Sequence, residues 1–332
     1  MRIKSQPIYA TGLLALLGLV CVLFSLFTGP AAIGPANVIK ALFSDQEAAT
    51  AIIRQIRLPR ALAAWLAGAC LGAAGAGLQG LLRNPLAEPG VLGVSAASAL
   101  GAVTAIYFNF AAFAFWVTPM MAIVFAFAAT FALYTLGAAR VSTARLILIG
   151  VGISSFCGAL TSLAMNLAPN PFALSDLVNW LFGTVANRSF QDLAVAAPFA
   201  AAGFAMIMAS APGLNALTLG EETAATIGAN LKRTRMLATL GAAALVGASV
   251  SIAGAIGFVG IVAPHIVRAF AGHNPARILL PSALLGGLML CAADLAIRLA
   301  PFDQELKLGV AAALVGAPGF VWVAATTKRI SS

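Results

Sequence analysis

Charge is what this chain of 332 residues has least of: Asp, Glu, Lys and Arg make up 9% of it, while 61% is hydrophobic. Its mean hydropathy of +0.99 is far above that of soluble globular chains. A water-soluble enzyme is thereby excluded. Residues that carry chemistry are also scarce. There are two histidines, His265 and His273, both far in sequence from any cysteine. The four cysteines, Cys21, Cys70, Cys157 and Cys291, each lie in a different apolar run without C-x-x-C spacing. They read as inert small apolar side chains, and neither a metal site nor a cofactor is expected. No G-x-x-x-x-G-K-[ST] occurs, so the chain cannot cradle ATP phosphates in the P-loop manner. No apolar run carries an acidic residue near its middle, which argues against coupling to protons or sodium through a mid-depth carboxylate.

Apolar runs are abundant. They predict ten membrane-spanning helices, at about 8–29, 58–82, 91–108, 112–137, 144–167, 190–211, 233–251, 256–270, 276–299 and 306–326. The first follows Arg2 and Lys4, but Leu13 to Thr28 lacks a small-x-small cleavage site and leads into further spans, so it reads as a retained helix. Ten helices of about 20 residues leave only short connections, and 1–332 reads as one all-α transmembrane domain. An even number of crossings puts both termini on one side. With that side cytoplasmic, twelve Lys and Arg fall inside and seven outside, while three acidic residues fall inside and seven outside. The whole net charge of +9 then lies on the cytoplasmic face, as the positive-inside bias requires. Basic residues are scattered at span ends, so they point to membrane lipid and orientation and not to nucleic acid.

The second span is the most informative. It lies within Arg57 to Gly93, RLPRALAAWLAGACLGAAGAGLQGLLRNPLAEPGVLG, and is uncharged from Ala61 to Leu82. Ala64, Gly68, Gly72, Ala76 and Gly80 recur every four residues, which bares one helical face for close packing. Gly93, Ala97, Gly101 and Ala105 repeat the device in the third span, and Gly150, Ser154, Gly158 and Ser162 in the fifth. Ser154, Ser155, Thr161, Ser162 and Asn166 make the fifth span the most polar, a candidate either to line a pathway or to form interhelical hydrogen bonds. Arg57 and Arg60 lie one turn apart at the outer end of the second span, either as interfacial anchors or as carboxylate-binding forks. Asp294 stands one turn before Arg298 and is placed to pair with it.

Two short extramembrane helices are predicted. Between Pro169 and Arg188, Ser175 is the expected N-cap, Gly183 the stop, and Trp180 suits an interface. On the cytoplasmic side, Leu217 to Leu231 reads LTLGEETAATIGANL, where Thr218 and Glu221 form a capping-box pattern and Gly228 ends the helix. Its small and acidic residues oppose the basic bias of that face, so a protein partner suits it better than anionic lipid.

Five separated motifs carry a family resemblance. R-L-P-R (57–60) leads through Gln79 to R-N-P-L-A-E-P-G (83–90); then come L-G-E-E-T-A-A-T-I-G (219–228), G-F-V-G-I-V-A-P-H-I-V-R (257–268), A-D-x-x-x-R (293–298) and L-V-G-A-P-x-F (314–320). In this order they resemble the FecCD family, the membrane permeases of bacterial ABC importers for ferric siderophores, haem and cobalamin. The resemblance implies the type II ABC importer permease architecture in the bacterial inner membrane. It implies a homodimer with its pore on the two-fold axis, two copies of an ABC ATPase subunit, and a periplasmic substrate-binding protein.

The resemblance also assigns residues. Arg57, Arg60 and Arg298 would dock the binding protein, Gly220, Glu221, Ala224 and Gly228 would form the coupling helix seated on the ATPase, and Asn84, Leu86, Ser142 and Thr143 would form the cytoplasmic gate. His265 belongs to a family-wide Pro-His and reads as structural, not as a haem ligand. The chain departs from the family at Lys307, where a proline is common, and at Gly319, where an aromatic is usual. Family frequency orders the substrates as ferric siderophore, haem, then cobalamin. A solitary secondary carrier is the rival from another class.

Overall fold

The computed structural model describes residues 6–43, 48–136, 143–301 and 305–326. Regular structure in these residues is helical throughout, as expected of a chain whose backbone polar groups must be satisfied without water. α1 (Gln6–Phe27) is followed by the surface helices α2 (Pro35–Phe43) and α3 (Ala48–Ala51). A π-helical turn, Ile52–Arg57, leads without a break into α4 (Leu58–Leu82). Then come α5 (Val94–Tyr107), α6 (Val117–Leu136), α7 (Thr143–Asn166), α8 (Pro171–Leu181), α9 (Phe190–Leu217) and α10 (Glu221–Thr226). The last four are α11 (Leu231–Ala253), α12 (Val259–Ala271), α13 (Pro275–Leu299) and α14 (Leu308–Thr326).

Each of the ten expected spans has its helix, but not all are equally long. Among the described residues seven are long and apolar enough to cross a membrane, whereas α5 and α12 have only 14 and 13 residues. α5, with 14 residues, is about 21 Å long, less than the ~30 Å of a hydrocarbon core. The connection before it makes up the depth. Val91 and Leu92 lie against Gly150 in the second turn of α7, so residues 83–93 turn back into the bundle. α12 begins at a similar depth, with Gly260 in its first turn against Gly75, two turns before the end of α4. Irregular backbone is tolerated there because protein covers it.

α4 is the hub, and every residue from Ala67 to Gly80 is buried. Its small-residue face receives α13 running antiparallel, Gly68 on Gly286, Gly72 on Ser282 and Gly80 on Pro275. Gly75 receives α12, and Ala67 O accepts a 3.2 Å hydrogen bond from Ser249 Oγ of α11. In lipid such contacts replace the hydrophobic effect: bare backbones approach closely and gain dispersion and polar contacts. The α7 stripe is only half used. Gly150 packs on the re-entrant loop and Ser154 Oγ donates to Gly90 O at 3.0 Å, while Gly158 has nothing nearby and Ser155, Ser162 and Asn166 are exposed.

Three local expectations are corrected. The N-cap of α8 is Asn170, not Ser175: its side chain accepts from Ala173 N at 2.8 Å, and Pro171 at the first helical position starts the helix a turn earlier. α9 continues to Leu217 instead of ending near 211, because Gly203 and Gly213 keep it packed on α11. Thr218 does not cap α10; its hydroxyl bonds back to Asn215 O at the end of α9, and Gly220, at φ 96°, is the N-cap. That left-handed conformation is open to glycine and costly for threonine.

Candidate functional site

One end of the bundle gathers the arginines. Arg57, only 4% exposed, donates from Nη1 to Leu26 O at 2.8 Å and from Nη2 to Ala31 O. Arg298 donates from Nη1 to Ser25 O and Thr28 O at 3.1 and 2.9 Å and from Nη2 to Ser25 Oγ. Both therefore clamp the C-terminus of α1, whose last carbonyls have no partners within the helix and attract cations. Arg60 binds Asp294 by its fork, Nε to both carboxylate oxygens and Nη2 to Oδ1 at 2.7 Å, and also pairs with Glu305. Asp294, 2% exposed, holds Arg298 as well, with Nε 3.1 Å from Oδ2. The expected pairing within α13 is therefore present, inside a larger cluster of three cations and two carboxylates.

The opposite end of α4 carries the re-entrant loop. Arg83 closes α4 in the left-handed region at φ 49°. Asn84 Oδ1 accepts from Leu86 N at 2.9 Å, so two expected gate residues share one tight turn, both half-buried. Thr143 starts α7, and Ser142 lies outside the described residues. The sequence reading missed Glu88. Its Oε1 accepts from Phe258 N at 2.7 Å, just before α12, where the helix dipole favours a carboxylate. The signal was an acidic residue between two prolines in a short loop, E-P after N-P-L-A. Gln79 and Arg268 complete this end: Gln79 Nε2 donates to Gly260 O at 3.2 Å and its Oε1 accepts from Arg268 Nη2.

At that same end α10 stands between α9 and α11. Ala224 is fully buried against the bundle, whereas Glu221, Glu222 and Gly228 are exposed. Gly228, at φ 82°, ends the helix as expected. Leu219 and Ile227 flank it, 59% and 61% exposed. Glu221 pairs with Arg235 of α11 at 2.7 Å on the surface. The knob thus offers two large apolar side chains and a free acid, with its orientation set from behind by a buried alanine. Cys21 and Cys291, far apart in sequence, come together between α1 and α13 within hydrogen-bonding reach. Among the described residues no group of His, Cys, Asp or Glu is arranged to hold a metal ion.

A hub of bare helical faces, two half-length helices meeting a re-entrant loop, and a rigid knob at one end define a polytopic membrane permease subunit. The chain belongs to the FecCD transport family, whose model matches residues 16–326. It is thus an ABC importer permease, a multi-pass protein of the bacterial inner membrane. It is 37% identical over 317 residues to the vitamin B12 import system permease protein BtuC of Salmonella paratyphi A (strain ATCC 9150 / SARB42), covering 95% of this chain and 94% of that one. To the protein of the same name in Klebsiella pneumoniae it is 38% identical over 311 residues, 93% of this chain and 91% of the other. Its fold matches that of a solved inward-facing metal-chelate type ABC transporter with a TM-score of 0.84 at 28% identity, covering 96% of this chain and 99% of that one.

Proposed function

We propose that the chain is the pore-forming permease of an ATP-driven importer for a cobalt corrinoid of the cobalamin class, acting as a homodimer with two ATPase subunits and a periplasmic binding protein. The relatives described above are vitamin B12 permeases, which moves cobalamin ahead of the iron chelates that family frequency placed first. The observation that carries the coupling role is α10, a buried alanine behind an exposed acid and two exposed apolar residues. Such a surface on a basic face suits a protein groove. Both termini and α10 then face the cytoplasm, in keeping with the charge bias, and the Arg60 cluster faces the periplasm.

In this orientation each part has a task. ATP binding draws the ATPase subunits together and moves α10, which shifts α9 and α11 against the α4 hub. Asn84, Leu86, Ser142 and Thr143 line the inner gate, and Glu88 ties the gate loop to α12. Arg57, Arg60 and Arg298 form the docking face. Arg57 and Arg298 give it shape by fixing α1, while Arg60 can exchange the half-exposed Glu305 for a carboxylate of the binding protein. The exposed polar face of α7 suits a pathway shared with the second copy.

Reconstitution tests the reading. Proteoliposomes holding the permease and its ATPase, supplied with binding protein, are expected to accumulate cyanocobalamin only with ATP. Uptake driven by a pH gradient without the ATPase would favour the secondary carrier, and uptake of ferric siderophores alone would restore the iron reading.

A further inference from the structure

At the Arg60 end, but apart from that cluster, α5, the start of α6, α8 and the start of α9 line an open cavity of about 750 Å³. That is within the range of about 300–1,000 Å³ typical of small-molecule sites. Its wall includes Tyr107, Asn109, Asp176, Trp180, Asn187 and Arg188. Arg188 is half-buried and makes no hydrogen bond or ion pair among the described residues. Its guanidinium instead stacks on Trp180, 4.8 Å from the ring centroid. Burial holds its basicity below the usual arginine range, with Asp192 acting in the other direction. Asp192 does not pair with it, because its carboxylate accepts from Ser189 N and Oγ at 2.8 Å in the capping box of α9. Trp180 Nε1 is also buried without an acceptor.

The buried Arg188 Nε–H has no acceptor among the described residues, so an oxygen entering the cavity would supply one. The neighbours include amides and a phenol, which can donate to oxygen as well; of the two carboxylates in the wall, Asp192 is engaged by Ser189 and Asp176, on α8 one turn before Trp180, is exposed to solvent. We propose that this cavity is a way station for the anionic oxygen group of the transported chelate, with Arg188 as the residue that binds it. The inference rests on the import reading above and adds a site to it. The cavity holds a limb of a large chelate rather than the whole molecule. Two chemistries share the required group: the phosphodiester of a complete corrinoid, and the carboxylates of an iron chelate.

The test uses the complete transporter in proteoliposomes with three probes: cyanocobalamin, dicyanocobinamide, which lacks the phosphodiester, and ferric citrate. Arg188→Gln is expected to raise KM for the anionic chelate that the wild type imports about tenfold, with kcat little changed and dicyanocobinamide shifted less than twofold. Arg188→Lys is expected to restore part of the loss, since it keeps charge but not the fork. Lys40→Gln, the same charge change on an exposed helix, is expected to do nothing. A selective loss for cyanocobalamin assigns the phosphodiester, and one for ferric citrate the carboxylates. Unchanged KM values, or equal shifts for all probes, overturn the site. Should Arg188→Gln fail to assemble, Arg188→Lys decides: a selective rise in KM supports the site and none overturns it. If the wild type imports no chelate at all, the import reading fails and this inference with it.

Discussion

Replacing Asp294 by alanine should remove one carboxylate from between two buried guanidiniums. Arg60 and Arg298 are 13% and 6% exposed, and Asp294 contacts both. Breaking a buried ion pair from one side costs about 3–5 kcal/mol, because the remaining charge is left uncompensated. Here two charges remain, but Arg60 keeps Glu305 and Arg298 keeps the carbonyls of Ser25 and Thr28. The lower end, about 3 kcal/mol, is therefore expected. For a chain of this length that corresponds to a fall in melting temperature of about 3–6 °C, extrapolated from smaller domains. Asp294→Asn, which keeps the shape and two acceptor lone pairs, should cost about half as much. Melting of detergent-purified protein, followed by fluorescence-detected gel filtration, reads both. The decisive comparison is Asp294→Leu with Arg60→Met, which should recover stability relative to Asp294→Leu alone. Strictly additive losses, or an Asp294→Ala protein as stable as wild type, would refute the claim that Asp294 holds the cluster together.

Further outcomes can be checked in the same assay. Gly72→Ala and Gly75→Ala place a methyl group inside the carbonyls of Ser282 and Gly260, so both should abolish folding or lower the melting temperature sharply, whereas Gly12→Ala, with open space around it, should be neutral or slightly stabilising. Glu88→Gln keeps an acceptor for Phe258 N and removes a buried charge, so it should be near neutral, while Glu88→Ala should cost about 1–2 kcal/mol by uncapping α12.

The spans were legible because lipid demands long uncharged helices, and each run from α1 to α14 keeps that pattern between charged or polar ends. The α4 seam was legible for the same reason: five small residues at a spacing of four can serve only one face. What escaped depends on partners far away in the chain. Arg57 and Arg298 look alike as interfacial charges until α1 brings the carbonyls of Ser25 and Leu26 to them. Glu88 looks like a loop acid until the start of α12 reaches it. Caps failed locally for a plainer reason. At both Thr218 and Ser175 a residue able to cap stood near one better placed, Gly220 with its positive φ and Asn170 before a proline. The α7 stripe, with the same spacing of four as that of α4, packs only through Gly150 and Ser154 among the described residues, so periodicity alone does not tell which bare face has found a neighbour.

The most direct test of a permease driven through α10 is whether the ATPase subunit stays bound when the knob alone is changed. Leu219→Glu with Ile227→Glu alters two exposed side chains and leaves the buried Ala224 in place. The double variant is expected to melt like wild type in isolation and to lose the ATPase on co-purification from membranes, with ATP-dependent uptake lost as well. Co-purification and uptake at wild-type levels would contradict coupling through this helix.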